Sequence, residues 1–272
     1  MGTPWIGGQF QKYIFQGEDG SLWMMGEQIS EKVIKSNPLS ESIYNTSEAQ
    51  AVFRCWQIRG PGVGKRAIVK VRMQIPEDLD DASPDPNVRA HEASDVYASA
   101  TINEINALMW LTERGCSVTP PLLSLTHCRQ GIDNVVPGGW LVFIVMERVP
   151  GVALTEFRTY DFAKRQKIRQ AFRAGLTELY SHHVTQFDHS LANIMYDEKQ
   201  DKCYFVDFED ADTHPEERVQ KFHESEYEDW LLDDKKLVYG ETDQVMLENG
   251  SLAWPTIHTN GMEKREIMLT VE

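Results

Sequence analysis

The chain has 272 residues, seven tryptophans and a net charge of −15. That length supports a sizeable core in one large domain or two packed units, and the charge argues against a nucleic-acid partner, whose phosphates need a basic face. Four scattered cysteines (Cys55, Cys116, Cys128 and Cys203) show no paired spacing, which argues against a zinc cluster and fits reduced thiols in the cytoplasm or nucleus. No apolar run approaches a membrane span, and the opening MGTPWIGGQF lacks the layout of a signal peptide, so neither membrane insertion nor secretion is expected.

Residues 1–38 alternate aromatic and polar residues around QKYIFQGEDGSLWMMGE, which reads as a short hairpin or an irregular N-terminal extension. Residues 39–73 read as strands, with a polar loop SESIYNTS at 40–47. Within them, 51–58 and 67–73 form a hairpin around GPGVGK. GPGVGK resembles a phosphate-binding loop only superficially. Gly60 stands one residue too close to Gly64, Arg66 replaces the hydroxyl that would hold magnesium, and a strand follows instead of a helix. The lysine of interest is therefore Lys70, inside the second strand.

Further along, the acidic, proline-rich stretch 76–95 reads as an exposed insertion. Residues 96–114 carry Ile102, Ile105, Leu108 and Trp110 at helical spacing, with Gly115 as a stop. Glu104 lies along the apolar side of that helix and needs a partner if buried. PPLLSLTHC and GWLVFIVMERV read as strands, the second ending at Pro150-Gly151. Residues 161–181 form a second amphipathic helix with a basic, solvated face. VTQFDHSLANIMYD reads as a loop entering a strand, EKQDK as a turn, and CYFVDFEDAD as another short strand. Weak helical signals follow near EERVQKFHESEYEDWLL. His182 and His183 read as helix-end residues rather than metal ligands.

Four pieces then stand in order: Lys70 on a strand, Glu104 on the next helix, the loop Asp188-His189-Ser190-Leu191-Ala192-Asn193, and Asp207-Phe208-Glu209 one hairpin later. Phosphoryl transfer from ATP needs these residue types. The phosphates need a cation that a carboxylate holds in place. Magnesium needs oxygen ligands, which an aspartate and an asparagine carbonyl can give. The acceptor hydroxyl needs a carboxylate to orient it and take its proton. Taken singly, each has a plainer reading: an edge-strand lysine, an exposed helix carboxylate, turn residues, a strand end.

In this order the residues resemble the protein-kinase-like superfamily over about residues 50–212. The likeness is closer to its aminoglycoside-phosphotransferase-like and fungal kinase-like branches than to the eukaryotic protein kinases. The resemblance implies Lys70 on the α/β-phosphates with Glu104 as its partner. It implies adenine at the backbone of Glu147 and Val149, Asp188 as catalytic base, and Asn193 and Asp207 as metal ligands. ATP and magnesium are the implied cofactors, with a small-molecule or protein hydroxyl as acceptor. Departures stand beside it. Gln186-Phe187 replaces His-Arg, Ser190 replaces a lysine, and Glu209 replaces the glycine after Asp-Phe. No glycine-rich loop is recognisable, its place falling on SESIYNTS, and no Ala-Pro-Glu follows.

The expected fold is α+β and two-lobed, as in protein kinases. An N-terminal extension over 1–38 would precede a small β-rich lobe with one helix over 39–149, carrying the 76–95 insertion. A reduced, mainly helical lobe would follow over 150–272, with a hinge near 147–151. The first functional reading is an active phosphotransferase. The alternatives are a pseudokinase that works as a nucleotide-binding or protein-interaction module, and an unrelated α+β binding domain.

Overall fold

Strand-forming residues dominate the first 147 positions, and six strands there make one antiparallel sheet. The computed structural model describes residues 5–37, 39–77, 82–214 and 219–233. The sheet order is β1 (Ile14–Gln16), β2 (Leu22–Ile34), β3 (Glu48–Arg59), β4 (Arg66–Gln74), β6 (Trp140–Glu147), β5 (Leu122–Arg129). Alternate residues of these strands, among them Phe53, Val69, Val71, Phe143 and Val145, fill a core enclosed by one face of the sheet. The sheet curls around that face until its outer strands approach. Thr126 Oγ1 on β5 donates to the Gln16 carbonyl on β1 at 3.1 Å.

GPGVGK is the β3–β4 hairpin turn. Gly60 and Gly64 take φ of +118° and +86°, and the Gly64 amide donates to the Gln57 carbonyl at 2.8 Å. β4 is central, with β3 and β6 on its two edges, and it is buried on both faces. Lys70 is only 5% exposed, which excludes the edge-lysine reading. The segment read as an extension or a short hairpin is the β1–β2 hairpin, and β2 belongs to the main sheet.

The two-lobed kinase-like architecture with a mainly helical C-terminal part is not what the chain forms. The fold is mostly β. Among the described residues, five short strands follow β6: β7 (Val152–Ala153), β8 (Val184–Gln186), β9 (Ile194–Asp197), β10 (Lys202–Phe205) and β11 (Ala211–Thr213). They pair into two small sheets, β10-β9-β7 and β11-β8. These strands are two to four residues long, at or below the short end of the usual range.

The described residues also belong to one compact unit. A second core runs from α2 (Ser99–Glu113) through Val142, Ile144 and Met146 on the other face of β6. It continues to α3 (Phe162–Ser181), the only long helix after the sheet among the described residues. Residues 234–272, expected in the C-terminal part, lie outside the described residues, as do 215–218 and 78–81. No helix among the described residues is long and apolar enough to cross a membrane.

α2 ends at Gly115, φ +67°, as its sequence implies. α3 starts where the Asp161 carboxylate accepts from the Lys164 amide at 2.8 Å. Its basic face is solvent-facing, as expected, and carries exposed pairs. Lys164 reaches Glu198 at 3.0 Å, Arg173 reaches Glu224 at 2.7 Å, and Arg169 lies over the Tyr227 ring. The acidic stretch holds a short helix, α1 (Pro86–Arg89), and is fastened to the sheet. Gln74 at the end of β4 donates to the Glu92 carbonyl at 2.6 Å and accepts from the Ser94 amide at 2.9 Å. Of the weak helical signal near residues 216–232, the described residues form α4 (Glu226–Asp229), followed by the fully buried Trp230.

Gly151 joins β6 to β7 with φ of +101°, and a Cβ there would strike the Tyr196 carbonyl. Gly151→Ala combines a strained backbone with a clash against rigid main chain. It is expected to cost about 1–3 kcal/mol. Urea unfolding should show a lower midpoint with an unchanged slope, and an unchanged midpoint would mean that the β6–β7 connection relaxes freely.

Candidate functional site

Lys70 and Arg72 sit two residues apart on β4 and so share a face, the one that α2 covers. Glu104 on α2 is fully buried beneath them. One of its oxygens accepts from the Lys70 ammonium, and the other accepts from Arg72 Nη2 at 2.7 Å. The partner that a buried Glu104 requires is therefore doubled. Arg72 also reaches Glu48 Oε1 on β3 at 2.5 Å and Glu209 Oε2 at 2.6 Å. Glu48 in turn accepts from the Thr101 hydroxyl.

Asp207 joins this cluster from the far side. Its Oδ1 accepts from Lys70 at 2.8 Å and its Oδ2 from Lys32 on β2 at 3.2 Å. Lys32 also reaches Glu209 Oε1 at 2.7 Å. Asp207 adopts φ of +66°, an uncommon backbone for a non-glycine residue and one that recurs where function constrains the chain. Glu209 thus turns inward onto two cations and does not face solvent.

The loop with Asp188 and Asn193 is stitched to the Asp207 segment. Gln186 Nε2 donates to the carbonyls of both Val206 and Asp207, at 2.8 and 2.7 Å. The Phe187 amide donates to the Asp210 carbonyl at 2.8 Å, and the Val206 amide to the Asn193 carbonyl at 2.9 Å. Gln186, a departure from the kinase-like pattern, thereby fastens the loop to the strand end that presents Asp207. Asn193 Nδ2 donates to Asp188 Oδ2 at 2.8 Å and orients that carboxylate. The Asn193 side-chain carbonyl accepts no hydrogen bond among the described residues, nor does Asp188 Oδ1. Behind the loop, the His189 ring leans on Trp230, with centroids 4.8 Å apart.

Burial works against the ionised form of Asp207, but Lys70, Lys32 and Arg72 outweigh it and hold the carboxyl well below the usual range. Burial likewise opposes the charges of Arg72 and Lys32. The carboxylates around Arg72, and Asp207 with Glu209 around Lys32, outweigh it and raise both. At Glu48 burial wins over Arg72 and the Thr101 hydroxyl, and its carboxyl is pushed up.

Of the residues expected at a site, the chain brings Lys70, Glu104 and Asp207 into direct contact and sets Asp188 and Asn193 on the adjoining loop. At the expected base-binding backbone, the Glu147 amide already donates to the Pro121 carbonyl at 2.9 Å, and its carboxylate pairs with Lys65. The Val149 amide makes no hydrogen bond among the described residues. A cavity of about 550 Å³ opens near this connection, lined in part by Trp56, Arg66 and Arg148, and none of the clustered residues lines it.

Sequence reasoning missed Arg72, Glu48 and Lys32. The i, i+2 spacing of Lys70 and Arg72 was the one available signal, since two cations on one buried strand face demand several carboxylates. No family model matches the chain, and no curated protein matches it.

Proposed function

We propose that the protein transfers the γ-phosphoryl group of ATP to a hydroxyl of a small molecule or a protein. One observation carries this reading: Lys70 is clamped between Glu104 and Asp207, while the Asp188–Asn193 loop is bonded to the segment that holds Asp207. Lys70, fixed by Glu104, binds and orients the phosphate chain. Asp188, oriented by Asn193, keeps one oxygen to position the acceptor hydroxyl and take its proton. The free Val149 amide is a donor for the base.

Magnesium fits the residues present, because the Asn193 side-chain carbonyl is uncommitted and the Asp207 carboxylate is kept ionised by its cations. Asn193 and Asp207 would hold it, and when bound it neutralises charge on the phosphates. The reading rests on these side chains and not on the architecture.

A second reading, an interaction module without catalysis, is favoured by the hold of Lys32 on Asp207 and Glu209, which satisfies both carboxylates without a metal. A thermal-melt titration with ATP separates the two, with magnesium present and then chelated, on the wild type and on Asp207→Ala. A ligand that binds only the folded state raises the melting temperature, by mass action. A magnesium-dependent rise that Asp207→Ala abolishes is expected. No rise at millimolar ATP would overturn the phosphotransfer reading and favour the interaction module.

A further inference from the structure

The two ammonium groups on Asp207 differ in a way that matters for a metal. Lys70 is locked from behind by Glu104, and its side chain is 6% exposed. Lys32 comes from an exposed strand, its side chain is 42% exposed, and it touches only Asp207 and Glu209 in the cluster. Lys32 can leave without stranding either carboxylate, because Asp207 keeps Lys70 and Glu209 keeps Arg72. Lys70 cannot, because its own buried ammonium would lose both Glu104 and Asp207. Asp207 Oδ2 and Glu209 Oε1 come from different residues, yet both point at one cation, the Lys32 ammonium. Three cations, Lys32, Lys70 and Arg72, face four carboxylates, Glu48, Glu104, Asp207 and Glu209. Removing Lys32 therefore deepens the local negative excess from one charge to two beside the oxygen that a divalent ion needs.

We propose that Lys32 is a displaceable stand-in for the metal: its ammonium holds Asp207 and Glu209 in the metal-free protein and must release them before a divalent cation binds. This rests on the reading of Asp207 as a metal ligand. It adds that metal affinity is set by competition with a side chain of the same protein. It also ties metal binding to the end of β2, whose last residue, Ile34, lies two beyond Lys32.

Mn²⁺ alone, titrated into the full chain without nucleotide and followed by calorimetry, tests it. Lys32→Met is expected to bind Mn²⁺ about tenfold tighter than wild type, since two partly exposed ion pairs no longer compete. Lys32→Arg, which keeps the charge, should not show the gain. The gain should vanish in Lys32→Met/Asp207→Asn. Equal affinity in wild type and Lys32→Met, no binding by either, or a gain that survives Asp207→Asn would each overturn the inference. If Lys32→Met tightens Mn²⁺ while ATP raises no melting temperature in either protein, the stand-in role holds and the phosphotransfer reading is the one that fails.

Discussion

Replacing Asp188 with Asn is expected to lower phosphoryl transfer by about 10²- to 10⁴-fold, the usual contribution of a general base. Basal ATP hydrolysis, with water as acceptor, gives the rate before the natural acceptor is known. The substitution keeps the shape of the side chain and its contact with Asn193, whose amide donates to Asp188 at 2.8 Å. It removes the charge and the capacity to take a proton. Asp188 is exposed and makes no ion pair among the described residues, so the fold should not suffer. The ATP-induced rise in melting temperature should survive, because Lys70, Glu104 and Asp207 are untouched. A rate within a factor of two of wild type would remove Asp188 from the chemistry. Loss of the melting shift together with the rate would instead place Asp188 in nucleotide binding.

The largest effect on stability is expected at Arg72. Its guanidinium is fully buried and meets Glu48, Glu104 and Glu209 at 2.5–2.7 Å. Arg72→Met fills a similar volume but leaves the buried Glu48 carboxylate without a cation and takes one from Glu104 and Glu209. Breaking a buried pair in this way costs about 3–5 kcal/mol. Adding Glu48→Gln to Arg72→Met should recover part of the loss, since the Glu48 carboxylate is fully buried and has only Thr101 left as a partner. Urea denaturation of the single and double variants measures both. A loss below about 1 kcal/mol in Arg72→Met would show that water or a rearranged lysine reaches the carboxylates, and the cluster would then be less rigid than its distances imply.

The constellation was legible because its members declare themselves locally. Lys70 lies in a β-branched strand, Glu104 on the apolar side of a helix, and Asp188 and Asn193 five apart on one loop. Their convergence through Lys70 and Gln186 follows from the order of elements. The architecture after residue 150 was legible in part. The helix over 161–181 and the strands that form β9 and β10 were read from pattern, but β7, β8 and β11, of two or three residues, are too short to show a period of two, and a mainly helical lobe was what the resemblance implied. β2 escaped for a different reason. Its pairing with β3 shifts register between Met25 and Gln28 and again between Gln28 and Ser30, which breaks the alternation that would have marked a strand of thirteen residues. Lys32 was hidden with it, and nothing near Lys32 in the chain points to Glu209, 177 residues away.

Those same irregularities bear on self-association. β1 covers the Leu22–Met24 end of β2 and Lys12 and Tyr13 bond Met25, so among the described residues the rest of that strand has no neighbouring strand on its outer side. Ile29 and Val33 are exposed on it, which in a flat strand would invite a second copy to pair. The register shifts bend this edge out of the plane, and Glu27, Glu31 and Lys32 place charge along it. An incoming strand would find neither a straight ladder nor a neutral surface. The irregularity that conceals β2 in the sequence thus guards the molecule against aggregating through it.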